Sequence, residues 1–235
     1  MRFSYVISDS TDPYHNLAAE QELMEYTASG LAVIFLWQND NTIVVGRNQN
    51  VYSECRAEDF VRSGGRIARR RSGGGAVYHD LGNLNFSILS KQQDRECCSY
   101  TSLILGVMER LGLKADYNGR NDILISGKKI SGNATYHENE NICQHGTILI
   151  DTDAAKISEY LTPDRSKLER NHIKSIASRV TNLSSLGYDI TVDRVRQAFI
   201  EVTGADRLDA RIDKERQDAL EEFYKSDIWI YEGRR

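Results

Sequence analysis

Apolar and polar positions are patterned differently in the two parts of this chain. Up to about residue 151, short apolar runs rich in β-branched and aromatic residues dominate; beyond it, charged stretches with helical spacing take over. Residues 1–8 read as a first strand, followed by a helix over 16–28 with Asn16 or Asp12 as its cap. Leu31 to Trp37 and Thr42 to Val45 read as strands with Asn39-Asp40-Asn41 as the turn between them. A short helix over 57–63 ends at Gly64-Gly65. Strands are expected at 67–69 and 76–78, and at 84–89, where Leu84, Phe86 and Ile88 alternate with Asn85 and Ser87. A helix near 99–111 stops before Gly112, residues 123–130 form a hairpin with a Gly-Lys turn, and 145–151 is a further strand. Charged, helix-like segments follow at 153–161, 165–170, 191–203 and 213–224. The sum is an α+β fold, a mixed, mostly antiparallel sheet with packed helices and a helical C-terminal part from about residue 152.

Composition narrows the class without changing this picture. The 235 residues carry a formal net charge of −4, which gives no reason to expect general affinity for nucleic acid. No apolar run is long enough to span a membrane, and the N-terminus turns polar too soon for a signal peptide. The four cysteines, at 55, 97, 98 and 143, lack metal spacing and read as free thiols in a reducing cytoplasm.

Candidate chemistry gathers in two places. Arg69-Arg70-Arg71-Ser72-Gly73-Gly74-Gly75-Ala76-Val77-Tyr78 sets three bare glycines behind a basic run. Glycine in a regular element costs roughly 0.5–1 kcal/mol relative to alanine. Such a loop can bring backbone N–H groups against an anion that guanidinium groups also hold. A glycine-rich hairpin with solvated charges satisfies the same composition, and the pattern is neither a P-loop nor a dinucleotide fingerprint. The second place holds Asn121 and Asp122 before a strand, then Lys129 with the small residues Ser131, Gly132 and Ala134. There Asp122 can hold Mg²⁺ and Lys129 can bridge two oxygens, or the lysines are merely solvated at a turn. His145-Gly146-Thr147 and the Arg179-Val180-Thr181-Asn182 stretch complete the set, and neither assigns a nucleophile by itself.

Taken in order, these segments resemble lipoate–protein ligase A. The resemblance rests on Asp12-Pro13, Asn16-Leu17-Ala18 with Glu20, Phe35-Leu36-Trp37, Val45-Gly46-Arg47 and Arg69-Arg70 with Ser72 to Asn83. It continues through Asn121-Asp122, Lys129 with Ser131-Gly132, His145-Gly146-Thr147 and Arg179 to Leu183. It implies the fold of biotin–protein ligases and class II aminoacyl-tRNA synthetases, in one catalytic domain over 1–235. It implies that ATP activates lipoate to lipoyl-AMP, with Mg²⁺. The lipoyl group then passes to a lysine of a 2-oxoacid dehydrogenase E2 lipoyl domain or the glycine-cleavage H protein. By resemblance Arg70 contacts the nucleotide, Gly73, Gly74, Gly75, Ala76, Val77 and Tyr78 form its loop, and Lys129 touches lipoate and phosphate. From the residues themselves we add Asn121 for phosphate, Asp122 as metal ligand for Mg²⁺ and Arg179 as an arginine that can face the site. Fuller-length members carry a further C-terminal domain, and residues 227–235 resemble the approach to it. A separate small accessory protein, transfer from preformed adenylate, or unaided ligation are the alternatives this leaves. A cysteine-dependent acyltransferase on the same fold is the rival chemistry, with Cys143 its nearest thiol.

Overall fold

The computed structural model describes residues 1–119, 121–162, 180–211 and 213–233. The strands are β1 (Arg2–Ile7), β2 (Leu31–Trp37), β3 (Thr42–Val45), β4 (Arg66–Arg69), β5 (Val77–His79), β6 (Asn83–Lys91), β7 (Asp116–Tyr117), β8 (Asp122–Ile125), β9 (Lys128–Glu138), β10 (Asn141–Leu149) and β11 (Asp206–Arg207). The helices are α1 (Pro13–Leu23), α2 (Val51–Glu54), α3 (Ala57–Arg62), α4 (Tyr100–Arg110), α5 (Ala154–Tyr160), α6 (Val192–Thr203) and α7 (Lys214–Lys225). A large sheet runs β11-β1-β2-β6-β10-β9-β8-β7, parallel at β11-β1-β2 and antiparallel beyond; a small sheet runs β4-β3-β5. The mixed, mostly antiparallel α+β architecture expected from the pattern is present.

Both faces of the large sheet are covered, which is why β2 reads as an unbroken apolar run. On one face Ala32, Ile34, Leu36, Phe86 and Ile88 pack under α4 and α6, through Ile104, Val107 and Phe199. On the other, Val33, Phe35 and Trp37 pack against Leu17 of α1, Tyr224 of α7, and Val44 and Ala68 of the small sheet. The small sheet's outer side carries Ile43, Val45 and Ile67 into a third cluster with Phe60 and Ile157. The C-terminal helices are therefore packed onto the sheet, and β11 lies on its edge against β1.

Two local expectations change, and one strand proves more buried than its pattern states. The helix expected over 16–28 starts at Pro13, because Asp12 accepts N–H groups of Tyr14 and His15 and proline suits the first helical position. It ends at Leu23 and continues as a 3₁₀ turn, Met24–Tyr26. Asn16 lies inside it, its amide donating to Ser10 O and Gln38 O. Next, β3 does not pair with β2; it crosses to the small sheet, between β4 and β5. Finally, Asn83, Asn85 and Ser87 of β6 are as buried as the leucines between them, so its polar side faces the interior between the two sheets. The helix expected over 165–170 lies outside the described residues.

His79, at the end of β5, shows how costly that polar interior is. It is 3% exposed, Asn39 Nδ2 lies 3.2 Å from Nδ1, and Nε2 has no hydrogen-bond partner among the described residues. Burial, reinforced by the nearby charge of Arg70, pushes its pKa down to about 3. The folded protein then leaves His79 neutral where the unfolded chain, with a pKa near 6.5, takes up a proton. Stability is complete above pH 6.5 and falls as pH drops toward 3, by about 2 kcal/mol at pH 5. Urea unfolding at pH 8, 6 and 5 checks this. The slope disappears in His79→Gln, and an unchanged slope there refutes the assignment.

Candidate active site

The glycine loop joins β4 to β5 and is built from inside by its own arginines. Arg69 is 1% exposed; its Nε donates to the carbonyls of Trp229 and Ile230, and Nη1 to those of Gly46, Arg47 and Gln49. Arg71 donates from Nε to the Tyr224 hydroxyl and lies over the Phe223 and Tyr224 rings. These two arginines fasten the C-terminal helix and turn to the loop. Arg70 turns inward as well. Its Nε donates to Ser72 Oγ, Nη1 to Val44 O, and Nη2 to both Gly73 O and Gly75 O at 2.8 Å. Burial lowers its pKa to about 10, so it remains a cation at neutral pH.

The glycines are needed for specific reasons. Gly74 has φ +95°, and a Cβ there would stand 2.7 Å from Arg70 Nη2. Gly46 opposes it, and a Cβ on Gly46 would lie 2.0 Å from Gly74 O. The loop is thus a close backbone crossing, tied by Gly46 N–H to Gly75 O and Arg47 N–H to Ser72 O. Ala76 N–H is held by Glu54 Oε2 at 2.9 Å. Val77 faces the core under the large sheet, while Tyr78 turns to the outer cluster, its hydroxyl donating to Asn41 Oδ1.

Lys129 sits at the start of β9 with Nζ 2.7 Å from Asp122 Oδ1; the lysine is 24% exposed and the aspartate 1%. Asp122 Oδ2 accepts from Asn118 Nδ2 at 3.0 Å. A Cβ on Gly132 would lie 2.5 Å from Lys129 Nζ, so the ammonium is folded over that glycine. Gly132 pairs with Thr147 of β10, and directly opposed residues of an antiparallel pair share a face. His145, two residues along β10, shares it too, and its Nε2 is 2.6 Å from Ser72 Oγ of the loop. The Lys129 ammonium and Ser72 of the glycine loop therefore lie over the same sheet face, beside Thr147 and His145 of β10 respectively.

Asn121 lies elsewhere. It lines a polar cavity of about 670 Å³ with Tyr117, Asn133, Thr135 and Gln144, residues of the opposite face by strand alternation. Val180 bridges Lys129, and Thr181 N–H donates to Lys129 O, which brings the Val180-Thr181-Asn182 stretch beside the lysine. Arg179 itself lies outside the described residues. Cys143, on the site face, is fully buried, and burial with the charge of Glu20 pushes its thiol well above the ordinary value. Such a thiol is a poor nucleophile. The patterning missed Glu20, Glu54 and Ser72 as functional candidates; a buried acid in an apolar helix face was the available sign for Glu20.

Fold and site together define a mixed α+β scaffold that sets a glycine loop and a lysine over one sheet face. The chain belongs to the lipoyl protein ligase A/B catalytic domain family, whose model matches residues 12–204. It is 38% identical over 201 residues to a lipoate-protein ligase A of Psychrobacter cryohalolentis, across 86% of this chain and 59% of that protein. It thus spans less than two thirds of that relative's length. Among solved structures it is similar to LipL1 of P. falciparum in complex with lipoate, with TM-score 0.81, 29% identity and 97% and 74% of the two chains covered. It is equally similar to a bipartite lipoate protein ligase of an archaeal lipoylation system from Thermoplasma acidophilum, with TM-score 0.81, 25% identity and 100% and 97% coverage.

Proposed function

We propose that this chain is a single catalytic domain, residues 1–235, of an ATP-dependent lipoate–protein ligase. One observation carries the reading: the Lys129 ammonium and Ser72 of the glycine loop lie over one sheet face. In the first step the lipoate carboxylate attacks the ATP α-phosphate, giving lipoyl-AMP and pyrophosphate. Two anions meet, so the protein's task is charge neutralisation and alignment. Lys129 supplies the mobile cation between carboxylate and phosphate. Gly73, Gly74, Gly75, Ala76 and Val77 supply close backbone, shaped by Arg70. In the second step the amine of an acceptor lysine attacks the acyl carbon and AMP leaves. Asp122 serves as counter-ion to Lys129. Its two carboxylate oxygens are engaged by Lys129 and Asn118, so it does not fit a dedicated Mg²⁺ site, and no step is routed through a metal.

The family, its lipoate-bound relative and the archaeal ligase named together with its E2 lipoyl domain support lipoate as substrate and a lipoyl domain as acceptor, with a glycine-cleavage H protein as the other candidate. The four free thiols suit a reducing cytoplasm, and no helix among the described residues is long and apolar enough to cross a membrane. The likeness to a bipartite ligase favours a second reading, in which adenylation needs a separate accessory chain. Pyrophosphate release from purified protein with lipoate, ATP and Mg²⁺ decides between them. Release without a partner supports the first reading; acceptor mass gain only from preformed lipoyl-AMP or with cell extract supports the second; neither refutes both.

The close crossing gives a sharper expectation. Gly46→Ala forces the Gly74 carbonyl to move, because the collision is with backbone. ATP affinity falls by about tenfold or more, since a misplaced anion-holding loop loses several oriented donors at once. Titration calorimetry checks it, and wild-type affinity in a folded Gly46→Ala protein contradicts the loop's role.

A further inference from the structure

Glu20, Ser72 and His145 form a connected set that the proposed chemistry does not use. Glu20 is 2% exposed in the middle of α1, and a buried carboxylate needs compensation. His145 Nδ1 lies 2.8 Å from Glu20 Oε1, and His145 Nε2 lies 2.6 Å from Ser72 Oγ. Ser72 Oγ accepts from Arg70 Nε at 3.1 Å. The Ser87 hydroxyl also donates to Glu20 Oε1 and in turn accepts from Trp37 Nε1 at 3.0 Å. Two directions are fixed by chemistry: a guanidinium can only donate and a carboxylate only accept. With a neutral imidazole the Ser72 hydroxyl donates to Nε2, and the bonds then run unbroken from the buried Arg70 cation to the buried Glu20 anion.

The set resembles a nucleophile–base–acid triad in its distances, but Ser72 is 1% exposed and its oxygen is held by Arg70. A hydroxyl so placed does not attack a substrate. What it does reach is the loop. Arg70, held at Nε by Ser72, spends Nη2 on the carbonyls of Gly73 and Gly75. With those carbonyls turned inward, the orientation of the peptide planes between them is set by where the guanidinium lies.

We propose that Glu20, His145 and Ser72 are positioning residues. They fix Arg70 from α1 and β10, and through it fix the peptide planes of Gly73–Gly75 for the nucleotide. The proposal deepens the adenylation reading and rests on it for the identity of the ligand. Its structural claim concerns the loop alone and can be tested without any ligand. Three substitutions cut the run at successive links. Ser72→Ala removes the hydroxyl, His145→Asn keeps a donor near Glu20 but cannot reach Ser72, and Glu20→Gln keeps the shape but removes the charge.

The backbone amide resonances of Gly73, Gly74 and Gly75 in the ¹⁵N-labelled chain, with amide exchange rates, report the loop directly. All three variants are expected to shift these amides in the same direction and to speed their exchange about tenfold. Pairs of substitutions are expected to do no more than either alone, because members of one network are not additive. ATP titration of the same samples is expected to show an equal loss of affinity for all three, with KM for ATP raised more than kcat is lowered. Unmoved glycine amides in folded variants overturn the relay whatever ATP does. Additive shifts, or a loss of thermal stability with the loop amides and ATP affinity intact, overturn it as well and leave a plain core role. Wild-type chain that binds no ATP while its loop amides follow the run supports the relay and refutes unaided adenylation instead.

Discussion

Lys129→Ala is expected to lower lipoyl-adenylate formation by about 1,000-fold or more, beyond the loss of one ordinary donor. Removing a single preorganised donor at a developing charge costs on the order of 10²–10³ in rate. Here the deletion also uncovers Asp122, whose carboxylate is 1% exposed and has the ammonium at 2.7 Å. A buried carboxylate that loses the ammonium at 2.7 Å turns more of its charge on the carboxylate and phosphate that the site must bring together. The variant therefore loses an attraction and gains a repulsion. That separates two contributions: Lys129→Ala with Asp122→Asn recovers part of the rate, because the repulsion is gone while the donor is still missing. Single-turnover pyrophosphate release with saturating lipoate and ATP measures both. Activity of Lys129→Ala within about threefold of wild type removes Lys129 from the site. A double variant no faster than the single removes Asp122 as the source of the repulsion.

The sequence made some of this legible because the signals were local. A run of three glycines, a Gly-Lys turn and a strand of continuous apolar residues each announce themselves within ten residues. The helix stopping before Gly112 stands where the pattern put it, and so does the hairpin that carries Lys129, except that its turn is Ser126-Gly127, with Lys128 already in β9, and that β9 runs on to Glu138. What stayed hidden depends on partners far along the chain. Arg69, Arg70 and Arg71 look alike in sequence as a basic cluster facing an anion, yet all three side chains turn into the protein. Their acceptors include carbonyls at 44, 46 and 229 and a hydroxyl at 224. The polar alternation in β6 says nothing of what covers it, because nothing local announces a second sheet. The crossing of β3 to the small sheet is likewise decided by its pairing with β4 and β5, not by the turn that precedes it. Glu20 was visible as a residue but not as a functional one, since its partners are on β6, β9 and β10.

Arg69→Met is expected to cost stability more than any of the site substitutions, about 3–5 kcal/mol, even though methionine fills much of the same volume. The reason lies in what the side chain leaves behind. Five carbonyl groups, those of Gly46, Arg47, Gln49, Trp229 and Ile230, accept from one buried guanidinium at 2.8–3.0 Å. Burial lowers the Arg69 pKa, so the cation is held there against desolvation by those five acceptors and by no acid among the described residues. Hydrogen bonds to a charged donor are worth about 1.5–3 kcal/mol each, and unsatisfied buried carbonyls bear the desolvation cost. The contributions do not add fully, because the freed segments relax toward solvent. Arg69→Lys is expected to recover little, since an ammonium offers three donors from one point and cannot span two loops. Urea unfolding gives the size of the loss, and tryptophan emission gives its location. Trp229 is 1% exposed and donates from Nε1 to Arg69 O. Loosening of the C-terminal turn therefore shifts its emission to the red before global unfolding, while Trp37, bonded to Ser87 inside the core, keeps its own. A loss below about 1 kcal/mol, or unfolding with no early shift at Trp229, means that the turn holds itself and that Arg69 is not what joins it to the loop.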